Sequence, residues 1–275
     1  MEEITKTIDI EKVIRNSNSS FLKSFPKFVI ILITKIIGQD DLNLMIYHNR
    51  NSQGVLFIIG ALKYWNVKVE VSGAENIPKT GRYIFVANHP VGGMDALSVL
   101  SVIYRHYPDI VAPANELLNI IPNLQPLIFS VNVFGKTSKD RALKLSELYE
   151  SDTQIFTFPA GEVSRRKKGV ISDIEWQKSF IPKAIQFERD VIPIFISGKN
   201  SNFFYFVANF RKLLGIKMYI ETLLLPREML RQRNSTVKVY IGKPIPSSEF
   251  TEEMTHFEWA QKVKEIVYSL HKKKQ

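Results

Sequence analysis

The stretch Tyr83-Ile-Phe-Val-Ala87 constrains the fold most, because these β-prone, mostly apolar residues give way, after a loop, to a helical pattern over residues 96–107. The same change recurs along the chain. The pattern predicts helix 96–106, strand 109–112, a helix near 115–129, strand 131–134, helix 139–150 and strand 153–158. A helix over 176–187 follows, with Pro182 as its weak point, and then a buried strand over 191–196. Strands alternating with helices predict an α/β sandwich with a mixed, mostly parallel central sheet flanked by helices. At 275 residues the chain can bury a substantial core, and no repeat or low-complexity linker divides it.

Upstream of a half-exposed strand at 67–71 the patterns are helical. Asp9 is placed to cap a short helix carrying Ile10, Val13 and Ile14, a second helix runs from Pro26 to a C-cap at Gly38, and two more cover 40–47 and 54–65. The expected organisation is a helical N-terminal extension over 1–66 and a larger domain over 67–275. In the Pro26 helix Lys23, Lys27, Thr34 and Lys35 form a polar sector interrupted by Ile31, while Phe28, Val29, Ile30, Leu32, Ile33, Ile36 and Ile37 fill the rest. So apolar a helix either packs on the domain or lies in a membrane interface. Residues 202–214 pose the same choice: Phe203, Phe206, Val207, Phe210 and Leu214 share one stripe, with Phe204 and Tyr205 at its sides. Core packing and an acyl-chain or membrane-facing surface both explain it. A late strand at 236–242 and a closing helix over 247–272 complete the pattern, with a lysine tail at 272–274.

The net charge of +10 and a pI near 9.5 imply attraction to an anionic surface: membrane phosphates, nucleic acid or the phosphates of an acyl carrier. No nucleic-acid-binding module, Walker loop or dinucleotide fingerprint accompanies that charge. The absence of cysteine excludes thiol catalysis, disulfides and cysteine-metal sites, and His48, His106, His256 and His271 stand singly, without paired ligand spacing. The acidic start is unlike a signal peptide, and the longest apolar run, residues 28–33, is far short of the roughly 20 residues that span a bilayer. The expectation is a cytoplasmic protein, peripheral on the inner face of the cell membrane.

Chemistry concentrates where the strand at 83–87 ends. Imidazole takes up a proton near neutral pH, and a carboxylate can hold one ring nitrogen protonated while the other acts as base, so His89 is the candidate base and Asp95 its orienter. Six residues on a helix turn through roughly 240°, so the pair converges only if Gly92-Gly93 makes a loop. The plainer alternative is that Asp95 caps the next helix and His89 is a loop residue. Farther on, Phe158-Pro-Ala-Gly-Glu-Val-Ser164 makes a second strand-to-turn junction, followed by the basic run 165–168. There Gly161 permits close backbone approach to a ligand, and Glu162, Ser164 and Arg165 can hydrogen-bond a head group.

Together, Asn88-His-Pro-Val-Gly-Gly-Met-Asp95 and Phe158-Pro-Ala-Gly-Glu-Val-Ser164 resemble the two motifs of the glycerolipid and lysophospholipid acyltransferase-like superfamily, over residues 67–246. The closer resemblance is to its hemolysin-like bacterial branch, which includes O-acyltransferases of ornithine- and glycine-type aminolipids. The resemblance implies an acyltransferase-like sandwich with His89 and Asp95 catalytic, and Asn88, Gly92, Gly93, Pro159, Gly161, Glu162, Ser164 and Arg165 binding substrate. It also implies transfer from acyl carrier protein or acyl-CoA to the hydroxyl of a lyso-lipid at an anionic membrane surface, with no cofactor, metal or nucleic acid. Five residues rather than the usual four separate His89 from Asp95, Ala160 stands where the commoner motif has Glu, and residues 131–136 lack the arginine that helps hold glycerol phosphate. These departures favour an N-acyl amino-acid lipid over a glycerol-phosphate or lysophospholipid acceptor, and leave a non-catalytic lipid-binding protein as the alternative of another class. A serine lipase is disfavoured, because the chain has no Gly-x-Ser-x-Gly elbow.

Overall fold

The computed structural model describes residues 6–17, 20–131, 139–216 and 219–272. Five helices come first: α1 (Ile10–Asn16), α2 (Ser20–Lys23), α3 (Lys27–Ile37), α4 (Gln39–His48) and α5 (Gly54–Tyr64). Asp9 caps α1 by accepting the Lys12 N–H at 3.0 Å, and Gly38, at φ 73°, ends α3 in the left-handed region. Then come β1 (Lys68–Ser72), β2 (Tyr83–Ala87), α6 (Gly93–Ile103), β3 (Ile110–Asn115), β4 (Ile128–Val131), α7 (Lys139–Glu150) and β5 (Gln154–Thr157). A hairpin of β6 (Arg165–Lys167) and β7 (Val170–Ser172) precedes α8 (Phe180–Gln186) and β8 (Asp190–Ile196). The last elements are α9 (Asn202–Leu213), α10 (Leu225–Leu230), β9 (Thr236–Ile241) and α11 (His256–Ser269).

Seven strands make one sheet in the order β1-β9-β8-β2-β5-β3-β4, parallel throughout except at β8–β9. This is the mixed, mostly parallel sheet that the alternation predicted. β2 lies at its centre, with Phe85 opposite Phe156 of β5 and Ile192 of β8. Because side chains alternate along a strand, Phe85, Ala87, Phe156 and Ile192 join the core beneath α4, α5 and α6. Ile84, Val86, Ile155 and Val191 face the other way, onto Trp176, Phe180 of α8 and Val263 of α11. Every residue of β2 is buried, so the strand is closed on both faces. Truncating Phe85 to alanine there would cost about 3–5 kcal/mol.

Leu42, Met45 and Ile46 of α4 and Val55, Phe57 and Ile58 of α5 belong to the same core as Phe85, so the helices before β1 share the sheet's core. α3 is divided: Ile30 and Ile37 are buried, whereas Phe28, Ile31, Leu32 and Ile36 are exposed. The aromatic helix α9 reverses the core-packing reading of its stripe. Phe204, Tyr205 and Ala208 are the buried side, Phe204 and Tyr205 packing with Val163 and Leu224, and Phe203, Phe206, Phe210 and Leu214 face outward.

Three other expectations need correction. Residues 116–120 and 122–127 form short 3-10 segments instead of one helix, because Pro122 and Pro126 remove backbone donors and Ile121, before Pro122, is held extended. α8 begins at Phe180 and not near 176, since the Trp176 N–H goes to Gln261 Oε1 and the Gln177 N–H to the Pro159 carbonyl. α11 begins at His256, where Thr255 and Glu258 form a reciprocal capping box that residues 247–249 cannot match. Within the strand expected over 131–134 only Val131 is described, as the end of β4; Lys136 and the last two lysines of the tail also lie outside the described residues.

Candidate active site

β5, β2 and β8 run parallel side by side, and the loops leaving their C-terminal ends meet at one edge of the sheet, where open α/β sheets commonly take ligands. The loop after β2 carries His89. Its Nδ1 lies 3.0 Å from Asp95 Oδ2, and the same oxygen accepts the N–H groups of Val91 and Gly92, both at 2.8 Å. Asp95 is 1% exposed and stands in the first turn of α6, where the helix dipole favours an anion. It therefore closes the loop as a capping residue and orients the imidazole as well.

Gly92 makes this geometry possible. At φ 118° and ψ −128° it occupies backbone space open in practice only to glycine. The His89 ring stacks on Phe158 at 3.9 Å and 17°, which joins the first motif to the second. With Nδ1 turned to Asp95, Nε2 is the nitrogen left for proton transfer; it has no hydrogen bond among the described residues, and the side chain keeps 18% exposure.

Other expected binding residues are placed differently. Asn88 donates to the Ile196 carbonyl at 2.9 Å and accepts the Ile196 N–H at 2.7 Å, so its amide braces the ends of β2 and β8 and is not free to face a ligand. A side chain on Gly93 would come within 2.9 Å of Met229 Sδ, so this glycine accommodates α10. Gly161, at φ 69°, closes a turn onto the Phe158 carbonyl and would have open space for a Cβ; Pro159 accepts the Gln177 N–H at 2.8 Å. Ala160 is buried in the core beside Trp176, and Ser164 is turned inward, 1% exposed.

Glu162 was expected to meet an acceptor, but its Oε2 is taken by Arg165 Nε at 3.0 Å and Nη2 at 2.5 Å. Arg165 Nη1 continues to Glu221 Oε1 at 2.8 Å. Arg211 Nε stands 2.9 Å from the other Glu221 oxygen without hydrogen-bond alignment, so that contact is electrostatic. Two carboxylates and two guanidinium groups thus balance beside the second motif.

Sequence reasoning overlooked Glu221 and Asp173. Glu221 is fully buried between Ile220 and Leu224, and a lone carboxylate in an apolar run was its only signal. Asp173 is 3% exposed and accepts the His89 peptide N–H at 3.2 Å. It follows an unremarkable Ile-Ser pair, and only the fold brings it to the site.

Comparison with known proteins gives a consistent result. The model of a protein family described as Acyltransferase matches residues 12–274. A protein of Bacteroides thetaiotaomicron named lyso-glycine lipid O-acyltransferase is 43% identical over 264 residues, covering 96% of this chain and 97% of the relative. A Phocaeicola vulgatus protein of the same name is 40% identical over 264 residues, covering 96% and 95%. Among solved structures, the 1-acyl-sn-glycerophosphate (LPA) acyltransferase PlsC of Thermotoga maritima superposes with a TM-score of 0.53 at 19% identity. That match covers 89% of this chain and 97% of the other, a likeness of fold.

Proposed function

This chain belongs to the acyltransferase family, and on that premise we propose that it moves a fatty acyl group from a thioester to the hydroxyl of an N-acyl amino-acid lyso-lipid of the glycine type. The observation that carries the chemistry is the 3.0 Å contact between His89 Nδ1 and Asp95 Oδ2, which leaves Nε2 as the base. Nε2 takes the proton of the acceptor hydroxyl as its oxygen attacks the thioester carbonyl. The tetrahedral intermediate collapses by breaking the carbon–sulfur bond, and the thiolate, whose thiol has a pKa of about 8.5, receives the proton from the imidazolium. The products are an ester and a free thiol, and no covalent enzyme intermediate is needed. Acyl carrier protein or coenzyme A is the donor.

The names of the two curated relatives support the glycine-type acceptor. An N-acylated glycine presents a hydroxyl-bearing chain, an amide and a carboxylate, with no phosphate dianion. The balanced Glu162–Arg165–Glu221–Arg211 set agrees with such an acceptor, because its guanidinium groups are already paired and are not left open around a phosphate.

The enzyme works as a peripheral membrane protein in this reading. No helix among the described residues is long and apolar enough to cross a membrane. α3 exposes Phe28, Ile31, Leu32 and Ile36, with Lys23, Lys27 and Lys35 also exposed, and α9 exposes Phe203, Phe206, Phe210, Leu213 and Leu214. α3 packs on α10 and on the 3-10 segment Ile220–Leu224, which in turn packs on α9, so both apolar faces belong to one contiguous group of elements. Exposed apolar area on this scale suits a bilayer surface, and the excess positive charge suits anionic lipid.

The direct test is thiol release by the purified protein from an acyl thioester, with and without lyso-glycine lipid. Release that depends on the acceptor, together with an O-acylated product, is the expected result. Release without acceptor would make the protein a thioesterase, and absence of turnover with binding of the lipid would make it a lipid-binding protein.

A further inference from the structure

We propose that Asp173 is a positioning residue for His89, acting with Ser164 as a clamp on the backbone of the base; the inference rests on the reading of His89 given above. Asp173 Oδ1 accepts the His89 peptide N–H at 3.2 Å and the Ser164 hydroxyl at 2.5 Å. The Ser164 N–H in turn donates to the His89 carbonyl at 2.7 Å. The His89 peptide N–H is therefore held by the Asp173 side chain and its carbonyl by the Ser164 backbone N–H, while Asp95 fixes the ring at Nδ1 and Phe158 supports its face. Ring orientation and backbone placement are controlled from opposite sides of the loop.

Asp173 is itself held from three directions. Its Oδ2 accepts Trp176 Nε1–H at 2.9 Å, its peptide N–H donates to the Tyr268 hydroxyl at 2.8 Å, and Lys264 Nζ donates to its carbonyl at 2.8 Å. Trp176 is fully buried, and Tyr268 and Lys264 both lie on α11, so the clamp connects the C-terminal helix to the base. Burial first, and then the Asp173 charge, hold the Tyr268 phenol above its ordinary range, so that hydroxyl remains neutral.

A buried carboxylate whose direct donors are two uncharged side chains and an amide is an expensive way to hold three hydrogen bonds. Asparagine, with a single acceptor oxygen, could not receive the His89 N–H and Ser164 hydroxyl on one side and the Trp176 N–H on the other. What the carboxylate adds is charge-assisted grip on the His89 amide and a fixed negative charge behind a base that becomes cationic during turnover. Ser164, expected to touch a head group, becomes part of the same clamp.

The test compares Asp173→Asn, Ser164→Ala and the control Tyr240→Phe, using kcat, KM and the NMR titration of the His89 imidazole in the full-length protein without substrate. The His89 signal is assigned by its loss in His89→Gln. Asp173→Asn sets an amide N–H against Trp176 Nε1–H, so Asp173→Asn/Trp176→Phe is included to relieve that clash, and Ser164→Ala decides the question by its kcat if both fail to fold. Folded Asp173 or Ser164 variants are expected to keep KM within about twofold and to lose on the order of tenfold in kcat, and the Asp173 variants, which lose the carboxylate charge, to titrate His89 at lower pH than wild type. Wild-type kcat in the folded variants, or an unshifted His89 titration in a folded Asp173 variant, would overturn the proposal. An inactive wild-type protein would defeat the acyl-transfer reading instead, while the titration would still report on the clamp.

Discussion

His89 Nδ1 and Asp95 Oδ2 meet at 3.0 Å across five intervening residues because Gly92, at φ 118°, folds the chain back onto the first turn of α6. The extra residue relative to the commoner four-residue spacing is absorbed in a loop whose Val91 and Gly92 N–H groups converge on the same carboxylate oxygen. His89→Ala should therefore lower kcat by about 100-fold or more while leaving thermal stability close to wild type, because the ring is partly exposed and Asp95 keeps the Val91 and Gly92 N–H groups when the imidazole is gone. Thioester turnover and a melting curve on the same preparation check both halves.

Asp95→Asn should be costlier to the fold. It weakens one oxygen that serves three donors in a site with almost no solvent, so a stability loss of about 1–3 kcal/mol should accompany the fall in kcat. Urea unfolding of the variant measures it.

The adjacent glycines should separate cleanly. Gly92→Ala forces a side chain into backbone space that only glycine favours and should cost about 1–3 kcal/mol along with activity. Gly93→Ala meets only the flexible end of Met229 at 2.9 Å and should be the milder change. Paired melting and turnover measurements on the two variants decide this.

Glu221→Gln should destabilise the protein by about 2–3 kcal/mol. That is less than the usual cost of about 3–5 kcal/mol for breaking a buried pair, because Arg165 and Arg211 keep 18% and 12% exposure. Chemical denaturation at low and high salt tests it.

The apolar faces give a binding prediction. Phe28→Ser with Leu32→Ser on α3, or Phe206→Ser with Phe210→Ser on α9, should weaken partitioning onto anionic liposomes by at least about tenfold and leave the melting temperature unchanged. Sedimentation equal to wild type for both pairs would mean that these faces do not meet lipid.

Much of this was legible in the sequence wherever local chemistry decides. β2, β5 and β8 are apolar runs between turns, Gly38 ends α3 as a C-cap, and the His89 to Asp95 stretch shows its loop through Gly92. What was hidden depends on partners distant in sequence. Which face of α9 is buried follows from Val163 and Leu224, so periodicity alone named the stripe but assigned it no side. Asn88 was read as a ligand contact because its partner, the end of β8, lies 108 residues away. Asp173 reaches His89 across 84 residues and belongs to neither motif. The helix expected over 176–187 was shortened by tertiary hydrogen bonds to Gln261 and Pro159 that no window of sequence contains.

The most direct test of acyl transfer to an aminolipid is a competition. The purified full-length protein is given one acyl thioester and equal amounts of lyso-glycine lipid and lysophosphatidate in mixed micelles, and the two acylated products are quantified by mass spectrometry, with His89→Ala as control. The account predicts that O-acylated glycine lipid dominates and that both products disappear in the His89 variant. Preferential formation of phosphatidate by the wild-type protein would contradict it.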